Sequence, residues 1–256
     1  MPPALVTDTM KEMAQQHYAK APITEAIIDL RVEFAETVTV SELQKAHVGQ
    51  ENAYPRVENV NLLVGRIEFG EQLATNATTK HVGFRFRSAD GKQLYQARLD
   101  GFTMNRLTPY ESWEPFRTDA RRLWNVYRSV IKPEKVVRIA VRYVNRLDIP
   151  LPMHDFRDYL RTAPEVSADL PQGLATYFMQ LAIPQDDIKA VVMLNEALIE
   201  PAGPNVASVV LDIDLFRTEE LPASDDALWG LFEELHVRKN EIFEACITDR
   251  ARELFT

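Results

Sequence analysis

Three arginines, Arg138, Arg142 and Arg146, recur at every fourth position of one stretch, and the odd-numbered residues between them, Ile139, Val141, Tyr143, Leu147 and Ile149, are apolar except at Asn145. On an extended strand alternate side chains share a face. The arginines then stand together with Ala140, Val144 and Asp148, and the apolar residues take the other side. Rungs of that ladder are about 13 Å apart. A guanidinium fork reads carboxylates and phosphates, which makes the ladder a candidate binding surface. The same residues also read as a solvated sheet face crossed by ion pairs to Asp29, Asp212 and Asp214. Asn145 interrupts the apolar side. Asn is depleted in strands, and a buried amide left unpaired costs about 1–3 kcal/mol. It is therefore either tied to backbone or an amide lining a pocket.

Asp212 and Asp214, in the run Val209 to Leu215, are two residues apart and share a strand face. Two such carboxylates can share a divalent metal, the basis of a metal-dependent hydrolase or nuclease. Such a site usually adds a third acid and a lysine, for which Glu196 and Lys189 are available. Glu233-x-x-His236 has the spacing of one half of a di-iron motif, but no second Glu-x-x-His exists, and His17, His47, His81 and His154 lack an acid at that spacing. No phosphate-binding Gly-rich loop, dinucleotide fingerprint or Gly-x-Ser-x-Gly elbow occurs. Cys246 lies on an apolar helical stripe and reads as core, not nucleophile. No cofactor is expected.

The elements that must position these residues follow from periodicity. Alternation marks strands over 25–34, 59–69, 81–88 and 93–106, with a hairpin turn at 89–92 where Gly91 supplies a positive φ. A short helix starts at Ser41 and ends near Gly49. A longer one runs from a Ser112 cap to Ile131, with Trp113, Phe116, Ala120, Leu123 and Tyr127 on one stripe. Residues 10–18 could form one more turn. The second half then runs in the same order: a strand over 136–149, a short helix over 152–161, strands over 177–183, 189–200 and 206–217, and a helix from a Ser224 cap that, alone or with a second one packed beside it, runs close to Phe255. That order predicts an α+β chain of two similar halves, 1–134 and 135–256. Each would be an antiparallel sheet with a short helix and one long helix packed on one face, a duplication of helix-grip or TATA-binding-protein type.

The 256 residues are 46% hydrophobic and 26% charged, the mixture of a folded globular chain. Net charge is −9, which argues against coating nucleic acid or an anionic membrane. The charge is uneven. Residues 1–137 carry 18 basic and 17 acidic side chains; residues 138–256 carry 11 and 21. No apolar run reaches the roughly 20 residues of a membrane span. A single cysteine excludes an intramolecular disulfide, and residues 1–8 lack the pattern of a signal peptide, so the expected compartment is cytoplasmic.

Three motifs, Tyr18-x-x-Ala21-Pro22-Ile23-x-Glu25-Ala26-Ile27, Arg142-Tyr143-Val144-Asn145-Arg146 and the run from Phe243 to Phe255, span nearly the whole chain. Together they resemble a sporadically distributed family of uncharacterised prokaryotic proteins of about this length. The resemblance carries no activity. It implies an accessory role, of the kind found in toxin–antitoxin, mobile-element or phage-defence settings. With no catalytic constellation, the expectation is a non-catalytic binding or regulatory protein. It would act through a protein partner, a second copy or a small ligand, at Arg138, Arg142, Asn145, Arg146, Asp212 and Asp214. A homodimer would dock the acidic second half of one copy on the arginine face of another.

Overall fold

The computed structural model describes residues 18–34, 38–68 and 74–256, except for the side chains of 64–68 and 74–77. The turn of helix expected over 10–18 lies, apart from Tyr18, outside the described residues. Nine strands are hydrogen-bonded in the order β2-β3-β4-β5-β1-β6-β9-β8-β7. They are β1 (Ile23–Glu33), β2 (Arg56–Glu68), β3 (Ala74–Arg87), β4 (Gln93–Arg98), β5 (Gly101–Leu107), β6 (Lys135–Pro150), β7 (Phe178–Gln185), β8 (Ala190–Ile199) and β9 (Val206–Arg217). The helices are α1 (Val40–Leu43), α2 (Trp113–Ile131), α3 (Asp225–Cys246) and α4 (Asp249–Arg252). All the pairings are antiparallel.

The architecture is α+β, but the expected two similar halves, each an antiparallel sheet with one long helix packed on one face, are wrong. There is one nine-stranded sheet, and its two ends are built differently. Five strands come from residues before 108 and four from residues after 134. The cause is local. The expected strand over 93–106 folds back at Leu99-Asp100, giving β4 and β5 in register from Gln93↔Arg106 to Arg98↔Gly101. The short helix expected over 152–161 is a single 3-10 turn, Phe156–Asp158, started by Asp155, whose carboxylate accepts from the Arg157 amide at 2.8 Å. The last long helix ends at Cys246, and a second, short one follows it. Ile247 is extended and bridges to Leu160, and the Cys246 carbonyl accepts from the Arg161 amide at 2.8 Å. Thr248 then caps α4, its hydroxyl accepting from the Ala251 amide.

Contacts cluster in two units: Ile28–Leu107 with Glu111–Arg138, and Thr108–Tyr110 with Ile139–Thr256 and the segment ending at Ile27. In the first, α2 lies on β5. Its Trp124 and Tyr127 rings meet Phe102, and Phe86, Tyr95 and Leu43 are buried beside them. In the second, α3 lies on β9. Trp229, Phe232 and Leu235 are buried with Tyr143, Leu147, Leu211 and Ile213. Among the described residues no helix is long and apolar enough to cross a membrane.

Candidate binding face

The second unit shows how sequence parity sets the face. On β6 the odd residues from Ile139 to Ile149 are buried, as are Val209, Leu211, Ile213 and Leu215 on β9 and Val192, Leu194 and Glu196 on β8. The other parity forms the opposite face. Register places Val144, Asp212, Asn195 and Gln180 in one row across β6, β9, β8 and β7. The next rows are Arg142, Asp214, Met193 and Ala182 on one side, and Arg146, Val210, Ala197 and Phe178 on the other.

The rows are tied by side-chain hydrogen bonds. Arg142 donates from Nε and Nη2 to the two oxygens of Asp212, at 2.8 and 2.7 Å. Asn195 donates to Asp212 at 3.1 Å, and Gln180 donates to Asn195 at 2.7 Å. The Asp212 side chain is 8% exposed, whereas that of Arg142 is 43% exposed. The hydrogen bond to Asp212 holds the Arg142 pKa above its ordinary value, against the opposing effect of burial. Asp214 and Glu25 add negative charge around the guanidinium. Arg142, Phe178, Gln180, Asn195, Ala197 and Asp212 line an open depression of about 320 Å³. The Arg142 guanidinium therefore stands at its rim with two nitrogens fixed, and Nη1 makes no hydrogen bond among the described residues.

The other sequence-derived candidates separate from this group. Arg146 donates to Asp148 at 3.0 Å and to the Ser208 hydroxyl at 3.1 Å. Asn145 lies on the covered face and donates to the backbone carbonyls of Leu211 (3.0 Å) and Tyr143 (3.3 Å), so it is the backbone-tied amide and not a pocket wall. Arg138 belongs to the first unit, where it donates to Asp29 at 3.0 Å. That carboxylate also accepts from Arg98 (2.9 Å), Arg31 (3.0 Å) and Thr103 (2.8 Å). Burial drives the Asp29 pKa up, and Arg98 and Arg31 more than offset it, so the net shift is down. Asp212 is committed to Arg142, and among the described residues no group of three His, Cys, Asp or Glu is placed to hold a metal.

Two ionisable groups lie in the core: Lys239, which sequence reasoning missed, and Glu196, which it offered as a third acid beside Asp212 and Asp214 but which faces the opposite side of the sheet, level with Leu211. Glu196 is 1% exposed. Tyr177 donates to its Oε1 at 2.7 Å, and its Oε2 has no partner among the described residues. Burial pushes its pKa up to about 7. Lys239, on α3, is 5% exposed, with its Nζ 3.6 Å from the centre of the Tyr143 ring. Burial pushes its pKa down to about 7, opposed by Glu244. The Lys239 position could have been read, because it falls four residues after Leu235 and four before Phe243 on the buried stripe. The alternation along β8 likewise puts Glu196 in line with Val192 and Leu194.

The three motifs meet in this unit. The Tyr18 hydroxyl donates to Glu244 at 2.8 Å, and Arg252 donates to the same carboxylate at 2.8 Å. Tyr18 packs edge-on against Phe243 and Phe255. The Arg146 amide donates to the Pro22 carbonyl, and the Thr24 hydroxyl to the Val144 carbonyl. Cys246 is buried, and burial pushes its thiol up to about 12, as befits a core residue. No protein-family model matches the chain, and no curated protein matches it.

Proposed function

We propose that the protein is a non-catalytic binding protein that engages a protein partner through the face carrying Arg142. The observation that supports this is the clamped guanidinium. A buried carboxylate, itself held by Asn195, fixes its plane, nearly half of it stays exposed, and it borders an open depression next to the exposed ring of Phe178. A preset fork of this kind recognises a carboxylate or carbonyl acceptor without first losing side-chain freedom. The depression is shallow and open, which suits a protein surface more than an enclosed small molecule. The acidic surroundings favour a partner of mixed charge, one acceptor on Arg142 among basic groups. An accessory setting, implied by the three motifs, is compatible with a binder of this kind.

Affinity purification from the source cells with wild-type and Arg142→Ala protein tests the reading. A stoichiometric partner that comes with wild type and is depleted about tenfold with the variant supports it. A partner retained by Arg142→Ala overturns it. So does calorimetric binding of Mn²⁺ or Mg²⁺ that Asp212→Asn abolishes, because that result belongs to a metal-dependent hydrolase. Folding separates from binding in the same variant. Its loss of stability should stay within about 1–3 kcal/mol, the cost of leaving Asp212 short of its partner.

A further inference from the structure

We infer that the partner segment seated on the Arg142 face is an extended stretch carrying an acidic residue and, two positions away, a large apolar one, an inference that rests on the proposed contact at Arg142. The face has a fixed order of rows along its strands. Asp214 and Met193 share the row of Arg142, Asp212 and Asn195 lie in the next, and Val210, Ala197 and Phe178 lie in the one beyond. Arg142 reaches into the middle row to clasp Asp212, so its guanidinium stands over that row. The Gln180 amide donates to Asn195, and the Asn195 amide donates to Asp212. The carboxylate that holds the fork is thus itself held from across the sheet.

A fixed cation therefore stands one row from an apolar one, about 6.6 Å or two residues of strand rise. The far end of the apolar row is open, with Phe178 69% exposed. Arg146 ends that row on β6 but is turned toward Asp148 and Ser208, which belong to the row after it. On the other side of the guanidinium Asp214 adds negative charge. Along the strands the face is ordered acid, cation, apolar.

Strands stacked on a sheet face run within about 30° of the strands beneath them. In an extended segment every second side chain faces the sheet, at the same spacing of about 6.6 Å. Laid across the strands, that period would meet a strand spacing of roughly 4.8 Å and fall out of step. Neighbours on a helix face, about 5–6 Å apart, fall short of the row. Laid along the strands, a carboxylate facing the sheet meets Nη1 of Arg142, which makes no hydrogen bond among the described residues. The side chain two residues on then lands on Val210, Ala197 and Phe178. A second acid on the opposite side would face Asp214 and is disfavoured.

Panning a phage library of random ten-residue peptides against the full chain, with Arg142→Ala as a parallel target, tests this. Wild type should enrich peptides with Asp or Glu two positions from Leu, Ile, Met or Phe, and Arg142→Ala should not. A capped synthetic peptide of such a sequence should bind wild type. It should lose about tenfold in affinity when its acid is replaced by the amide, when its apolar residue is replaced by Ser, or when the protein carries Phe178→Ser. The exposure of Phe178 means that this last variant should melt as wild type does. Moving the apolar residue of the peptide one position along should cost as much as removing it. Enriched peptides that depend on Arg142 but lack an apolar residue at that spacing, or carry it at the three- or four-residue spacing of a helix face, would overturn the inference and leave the Arg142 contact standing. No enrichment on wild type, or full affinity for Phe178→Ser, would overturn it too. Peptides enriched equally on Arg142→Ala would overturn the contact at Arg142 with it.

Discussion

Asp29 accepts from three guanidiniums and a hydroxyl, so removing its charge weakens three ion pairs at once, although Arg31 and Arg98 keep Asp100. Asp29→Asn should cost about 3 kcal/mol in chemical denaturation, well above the cost of any of the surface ion pairs. The depressed pKa means that Asp29 stabilises the fold above the ordinary carboxylate range, and that this contribution is lost only as pH falls below it. Glu196 and Lys239 act in the opposite sense, since each is buried at a cost in its charged form. Glu196 is raised from 4.5 to about 7, so its favourable contribution is full below pH 4.5 and is lost as pH rises through 7. Lys239 is lowered from 10.5 to about 7, so its contribution is full above pH 10.5 and is lost as pH falls through 7. Each swing is on the order of 3–5 kcal/mol. Lys239→Met should therefore stabilise the protein at pH 7 and remove the rise in stability between pH 7 and 10. Denaturant titrations of both proteins across that range would show it. Of these residues, strand parity made legible that the arginine face could carry ion pairs to Asp29, Asp212 and Asp214, but not that Arg138 meets Asp29 and Arg142 meets Asp212. The burial of Lys239 and Glu196 was not read, although Glu196 was singled out as an acid, because a charged residue on an apolar stripe reads as an exposed edge until its neighbours are known.

At the scale of elements, the turn between β4 and β5 is the most constrained. Gly101 has a φ of +154°, and a Cβ there would sit 2.0 Å from the Leu30 carbonyl oxygen. Gly101→Ala must push β5 from β1, and should cost at least about 2 kcal/mol, measured as a lowered urea midpoint at unchanged m-value. This element was also the main misreading of the sequence. Asp100-Gly101 is a strong hairpin signal, but the apolar alternation of Leu94, Ala97, Phe102 and Met104 on both sides of it made one long strand look continuous. The predicted hairpin at 89–92 is present, because Asp90 accepts from the Ser88 hydroxyl at 2.6 Å and from the Lys92 amide at 3.0 Å, with Gly91 at φ +75°. Local side-chain bonds of this kind can be read from sequence. The break after Cys246 cannot, since its cause is a carbonyl satisfied by Arg161, which lies 85 residues away in the chain.

At the scale of the whole molecule, the repeated order of elements was legible but its meaning was not. Order says nothing about which strands pair across a long interval, and β1 joins β5 on one side and β6 on the other. A single sheet follows from those two pairings, each of them a long-range contact that periodicity cannot encode. The charge division was legible in full, and the excess of acid over residues 138–256 surrounds the unit in which Glu196 and Lys239 are buried. Because one of these groups loses its contribution as pH rises and the other as pH falls, stability should pass through a minimum near pH 7, with Glu196→Gln removing the acid-side slope. His47, lowered by burial, works against that slope near its own range without abolishing it.

The two buried groups also govern proton traffic when the chain unfolds. At pH 7 each is about half protonated in the native state, so unfolding releases about half a proton from Glu196 while Lys239 takes up about half. The two cancel, and the calorimetric enthalpy at neutrality should be nearly the same in phosphate and in Tris. Near pH 5.5 the Glu196 release no longer meets uptake at Lys239, although His47 opposes it, and near pH 8.5 the Lys239 uptake no longer meets release from Glu196. Buffers of different ionisation heat should then give different enthalpies, with the dependence on buffer heat reversing sign between the two.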